Sequence, residues 1–192
     1  MENKLKTKDL ITAGIFGAMY LVVLMVTVTL VGFIPITYIL APFFVGITCA
    51  PVYLLYVMKV RKMGAVFILS VLVALLISSA SVVAGAWAVL CGLIAEGIIR
   101  IGKYQSKKHF AASFLVFACS TVGPFLLILF MKNSYLTLTA KYYGQEYADT
   151  LNALTPPWII IVLIMLAIVG GLIGTRFAYR ILKKHFEKAG VV

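Results

Sequence analysis

MGAVFILSVLVALLISSASVVAGAWAVLCGLIAEGII, residues 63–99, decides how this chain folds. Glu96 is its only charged residue. As one helix the stretch would run roughly 55 Å, against a bilayer hydrocarbon core of about 30 Å. It must therefore turn back on itself. The turn falls in Ser78–Trp87, SSASVVAGAW, where small and hydroxyl side chains gather. This predicts one membrane span over 63–82 and the next over 86–102.

The same reasoning works outward in both directions. No charge occurs between Asp9 and Lys59, again too long a run for one helix. The Gly-Pro interruption GFIPIT, Gly32–Thr37, divides it into spans over 9–32 and 36–58. Pro42 and Pro51 are expected to kink the second, since each removes a backbone donor. A fifth span is predicted over 109–131, with Gly123-Pro124 inside it. A sixth follows over 157–181, opened by Pro156-Pro157. The expected fold is an all-α membrane protein with six transmembrane helices, forming one domain over 1–192.

Composition agrees. The 192 residues are 63% hydrophobic and only 12% charged, with mean hydropathy +1.09. A soluble domain is about one-quarter charged. The net charge of +11 has its simplest source in the positive-inside rule, so no nucleic-acid partner is expected. Lys4, Lys6 and Lys8 precede the first span. Lys59, Arg61 and Lys62 separate the second and third. Arg100, Lys103, Lys107 and Lys108 lie at the end of the fourth span or between it and the fifth, and Arg176, Arg180, Lys183, Lys184 and Lys188 close the chain. All fall on one side, and only Lys132 and Lys141 fall on the other. Both termini are therefore expected in the cytoplasm of a multi-pass protein of the bacterial plasma membrane. The first apolar segment is long enough to span, so no cleavable leader is expected.

This topology places residues 133–156 outside, between the fifth and sixth spans. Asn133–Trp158, NSYLTLTAKYYGQEYADTLNALTPPW, holds four tyrosines and two of the six acidic residues. A connection of that length is usually functional or disordered, and its aromatic content argues against disorder. From Thr139 onward a short helix would put Tyr143, Tyr147 and Leu151 on one face and Tyr142, Glu146 and Asp149 on the neighbouring one. Such a helix could close the bundle mouth as a lid. Candidate substrate-binding residues are Trp87, Tyr135, Tyr142, Tyr143, Glu146, Tyr147, Asn152 and Trp158. Each aromatic residue has a second reading, as an anchor at the membrane interface. Ser78, Ser79 and Ser81 either hydrogen-bond a ligand or let helices approach.

Glu96 is the only acid well inside a span. It is either a coupling acid, in a stand-alone carrier or channel, or the partner of Arg100 four residues on; the ion pair is the simpler account. His109 and His185 lie in basic flanks, and no H-E-x-x-H or G-x-x-x-x-G-K-[ST] motif occurs. No enzyme activity, resident metal or cofactor is expected. Cys49, Cys91 and Cys119 read as buried free thiols.

In the first span, TAGIFGAMYLVV, Thr12–Val23, small residues recur four apart: Ala13 with Gly17, and Gly14 with Ala18. Such stripes admit close helix approach, inside the bundle or against a partner. GGLIG, Gly170–Gly174, reads more simply as internal packing. A basic start followed by this helix resembles the substrate-binding S component of energy-coupling factor (ECF) transporters. LKTKDLITAGIFGAMY and GLIAEGIIR are similar to the Trep_Strep group. The resemblance implies a subunit that captures a micronutrient outside, docks on a membrane T subunit carried by two ATPase subunits, topples and releases its cargo inside. The family's small-residue contact would fall on Ala13, Gly14, Gly17 and Ala18. Cobalt and nickel members begin with a metal-binding histidine, whereas this chain begins MENKLK. The aromatic mouth suits thiamine-like, flavin-like, pterin-like or porphyrin cargo equally well.

Overall fold

The computed structural model describes residues 5–79 and 81–186. Lys4 and Lys188 lie outside the described residues, as do the side chains of Lys184 and His185. The described chain is all-helical: α1 (Thr7–Gly32), α2 (Pro35–Ile39), α3 (Ala41–Thr48), α4 (Ala50–Lys59), α5 (Ala65–Ser78), α6 (Val82–Ile101), α7 (Lys107–Ala118), a 3-10 turn (Cys119–Val122), α8 (Gly123–Phe130), α9 (Lys132–Tyr143), α10 (Gln145–Leu154) and α11 (Ile159–Phe186).

Residues 63–99 do fold back. α5 ends at Ser78, and the hydroxyl of Ser81 caps α6 by accepting from the Val83 amide at 3.1 Å. Two small-residue contacts close this hairpin. Gly92 lies against Ser70, and Gly85 against Ser78 and the Ala74 carbonyl. Ser78 thus serves packing.

Among the described residues four helical segments are long and apolar enough to cross a membrane: α1, α6, Lys107–Leu127 and α11. The α3–α4 pair makes a fifth if its 43° bend is counted as one broken span. Pro42 and Pro51 each stand in the first turn of a new helix. The expected kinked second span is therefore three short helices. α5 is apolar but only 14 residues long, roughly 21 Å, which is less than the ~30 Å hydrocarbon core. The sixth span begins at Ile159, later than expected. Pro156 and Pro157 form the turn before it, and the Pro156 carbonyl accepts from the Ile159 amide.

α3 and α11 meet backbone to backbone. Gly46 faces Gly170 and Gly171, and Gly174 faces Gly46 and Ile47. GGLIG is thus an internal packing face. Beside it stands an aromatic column of fully buried side chains, including Tyr20, Tyr53, Tyr56, Phe110, Phe114 and Phe117. The hydroxyls of Tyr53 and Tyr56 are tied internally, whereas the buried Tyr20 hydroxyl has no hydrogen-bond partner among the described residues. The Tyr53 hydroxyl pairs with Ser113 Oγ at 2.6 Å, Ser113 donates to the Ala95 carbonyl, and Tyr56 donates to the Ala65 carbonyl. Nothing in the periodicity of these apolar runs marks the three tyrosines as core. All three cysteines are free and buried.

Glu96 corrects an expectation. No ion pair joins it to Arg100, whose side chain is exposed. Its carboxylate instead closes the amino end of α5. Oε1 accepts from the Gly64 amide at 2.9 Å and the Tyr104 hydroxyl at 2.9 Å, while Oε2 accepts from the amides of Val66 and Phe67. A helix leaves its first amides without intrahelical partners, and its dipole favours an anion there. Asp9 pairs with Lys62 at 2.6 Å, and Tyr179 donates to the Lys107 carbonyl. These contacts bring the start of α1 beside the α4–α5 connection, and α11 beside the start of α7.

Candidate ligand-binding site

Residues 133–156 are ordered into two helices. The single short helix expected from Thr139 onward is broken at Gly144, whose φ of 91° and ψ of 160° lie where side-chain-bearing residues rarely go. The break turns the chain, yet Tyr143 and Tyr147 still meet across it. Their rings stack with centroids 4.9 Å apart.

α10 presents one apolar face downward. Leu151 is fully buried with Ile39, Val122, Phe125, Ile159 and Leu163, and Tyr135, Tyr147 and Leu154 pack against this cluster. Two hydroxyls fasten the segment to the bundle. Tyr147 donates to the Gly32 carbonyl at the end of α1, at 2.8 Å, and Tyr135 reaches the Tyr38 hydroxyl at 3.4 Å. Burial raises the pKa of both, and pushes Tyr147 up to about 12.

That shift carries a pH prediction. Tyr147 keeps its proton more tightly in the folded protein than in an unfolded chain, where tyrosine titrates near 10.0. A raised folded pKa means a contribution complete below pH 10 and lost as pH climbs toward 12. Protease cleavage within residues 133–156 should stay slow up to about pH 10 and accelerate above it. Tyr147→Phe, which cannot donate to Gly32, should cleave faster at neutral pH and show a weaker rise above pH 10, since Tyr135 keeps its own raised pKa.

Tyr38 and Phe125, against which the α9–α10 segment packs, also line a half-open cavity of about 260 Å³. Leu24, Met25 and Val28 of α1 line one side, and Tyr38 and Ala41 another. Leu76, Ile77 and Ser79 come from the end of α5, and Thr121, Pro124 and Phe125 from the 3-10 turn and α8. Tyr38 and Phe125 contact each other with centroids 4.9 Å apart, and they form the layer on which the lid rests. The Gly123-Pro124 break explains why α8 can form this wall. It separates α8 from α7 by the 3-10 turn and sets Thr121 at the cavity.

The sequence-predicted residues divide around this geometry. Tyr135 and Tyr147 hold the lid on the cavity wall. Tyr143 stacks on Tyr147 but is 61% exposed. Tyr142, Glu146, Asn152 and Trp158 are exposed, as is Asp149, which accepts from Gln145. Trp87 faces elsewhere: its indole donates to the Cys119 carbonyl at 2.9 Å and packs by Cys91, Cys119 and Ala167. None of the eight lines the cavity. Tyr38 and Thr121 were legible only as parts of apolar runs, whereas Ser79 lay in the serine cluster noted in the sequence. Among the described residues no three of His, Cys, Asp and Glu stand close enough to share a metal.

The first-span stripe also divides. Ala13 and Gly17 are buried, and Gly17 abuts Leu69 and Leu72 of α5. Gly14 and Ala18 are exposed, and a Cβ on Gly14 would meet nothing within 4 Å.

No curated protein and no solved structure matches the chain. A family of hypothetical bacterial integral membrane proteins, Trep_Strep, matches over residues 7–188, nearly the whole length. An apolar helical bundle that includes four candidate membrane spans accords with that match, and the chain belongs to the Trep_Strep family of bacterial integral membrane proteins.

Proposed function

We propose that the chain is the substrate-binding S component of an ECF-type importer, capturing a small micronutrient from outside and delivering it inward with a T subunit and two ATPase subunits. The cavity lined by Tyr38 and Phe125, on which the segment fastened by Tyr135 and Tyr147 packs, carries this reading. A walled apolar pocket with a few polar groups is the usual form of a small-molecule site. In this reading six segments cross the bilayer, α5 being the short one, and both termini lie in the cytoplasm. The lid then faces outside and the basic residues face in, as the positive-inside rule requires. The exposed Gly14–Ala18 face of α1 is the docking surface for the T subunit, while Ala13 and Gly17 serve the bundle. The protein performs no catalysis of its own.

A stand-alone carrier using Glu96 draws no support from the geometry. Both carboxylate oxygens are committed to the α5 amides and Tyr104.

Two measurements test the proposal. Mass spectrometry of a denatured extract of the purified chain should find one stoichiometric small molecule, depleted in a Tyr143→Ala, Tyr147→Ala variant. Co-expression with a T subunit and ATPases should yield a complex that Gly14→Leu with Ala18→Leu abolishes, with the melting temperature of the isolated chain unchanged. An empty protein that recruits no T subunit would sink the proposal.

A further inference from the structure

The cavity's lining states what it can hold. Its wall contains no charged side chain. Burying an ion without a partner is costly, so a charged ligand would need a counter-charge that this wall lacks. The nearby acids of the lid, Glu146 and Asp149, are exposed on α10 and do not line the cavity.

The polar groups of the wall are three hydroxyls, and their existing bonds fix what each can still offer. Ser79 donates to the Leu76 carbonyl, and Thr121 to the Ala118 carbonyl. Their protons are occupied, so towards a ligand each is an acceptor. The Tyr38 hydroxyl accepts from Tyr135, which leaves its own proton free to donate. Size adds a further limit. Small-molecule pockets run from about 300 to 1,000 Å³, and this half-open cavity of about 260 Å³ is just below the low end, so its enclosed part admits one or two rings.

We infer that the cavity takes a small, uncharged, mainly apolar molecule of one or two rings, carrying an N–H or O–H donor for Ser79 or Thr121. The inference deepens the binding role proposed above and rests on it. It favours neither a cation such as a thiamine-like compound nor a ligand as large as a flavin or porphyrin.

The test uses indole, a neutral two-ring donor, beside tryptamine and indole-3-acetate, which add a cationic or an anionic arm. The full chain is purified in detergent and its thermal stability followed during titration, since a ligand that binds the folded state raises it. Indole should stabilise the protein, with the charged analogues at least tenfold weaker. Thr121→Val keeps the shape and removes one acceptor, and should weaken indole by about three- to tenfold. Met25→Trp fills the cavity from a half-exposed position, so it spares the fold, and should abolish the response. Equal or tighter binding of a charged analogue would overturn the inference, as would a response that survives Met25→Trp. If none of the three binds while the purified chain carries a charged or larger compound, the binding role stands and this inference fails. If none binds and the extract holds only bilayer phospholipid, this inference fails, and the proposed role fails with it when no T subunit is recruited.

Discussion

Gly170→Ala is expected to destabilise the protein by about 3 kcal/mol or more, at the upper end of what overpacking a close interface costs. In an isolated helix the same change would help by about 1 kcal/mol, because alanine is the better helix former. The interface reverses the sign. A Cβ on Gly170 would stand 2.8 Å from the Phe43 carbonyl carbon and nearer still to its oxygen. These are backbone atoms of α3, so no side chain can rotate away. The two helices would have to separate, and Gly46 and Gly174, which depend on the same approach, would lose their contacts too. The melting temperature in detergent should fall by roughly 6–12 °C. Gly97→Ala, inside α6, is the control: a Cβ there meets nothing within 4 Å, so only the helix preference acts and the change should stabilise by up to about 1 kcal/mol. Equal behaviour of the two variants would show that α3 and α11 are not packed in this way.

The Gly170 contact also shows how far the sequence could be read. A run of glycines in an apolar helix says that something comes close, and GGLIG was readable to that extent. It does not say what comes close, because the partner Gly46 stands alone between apolar neighbours with no pattern of its own. The same limit applies to α1. Two interleaved stripes, Ala13–Gly17 and Gly14–Ala18, are equivalent in the sequence, and only the position of α5 makes one internal and leaves the other exposed.

Turns were legible where composition changed. SSASVVAGAW and GFIPIT both mark real reversals or breaks. The Gly144 break was harder to foresee, since one glycine within a helical pattern is tolerated as often as not. The lid's tyrosines drew attention because they were polar groups in an apolar chain, yet those that matter to the cavity act by holding its wall. The wall itself is built from residues with ordinary apolar neighbours. Its assembly depends on breaks around residue 40 and residue 123 that let α2, α3 and α8 change direction. Periodicity cannot report where such short pieces point.

Glu96→Ala is the second large effect, and it separates the two accounts of this carboxylate. Four donors converge on this carboxylate: the amides of Gly64, Val66 and Phe67, and the Tyr104 hydroxyl. Removing it leaves the amino end of α5 uncapped. A donor left unsatisfied in a buried site costs about 1–3 kcal/mol. Glu96 is only half-buried and Phe67 is exposed, so water recovers part of this. A net loss of about 2–4 kcal/mol is expected. Glu96→Gln should fall between, and the reason is geometric. Both carboxylate oxygens accept, so the amide group of glutamine must face donors with its own NH₂. Turned toward Tyr104, it can donate to that hydroxyl after the hydroxyl rotates, and only the Gly64 amide is left without its acceptor. The expected order of melting temperatures is therefore wild type, Gln, Ala. A structural cap predicts that the fraction of Glu96→Gln that folds still retains its ligand with unchanged affinity. A coupling acid predicts the opposite: near-normal stability with transport lost. Melting curves and ligand retention measured on the same two variants distinguish these outcomes, because the cap acts on the amino end of α5, beside the α4–α5 connection, while the cavity is walled by the far end of α5.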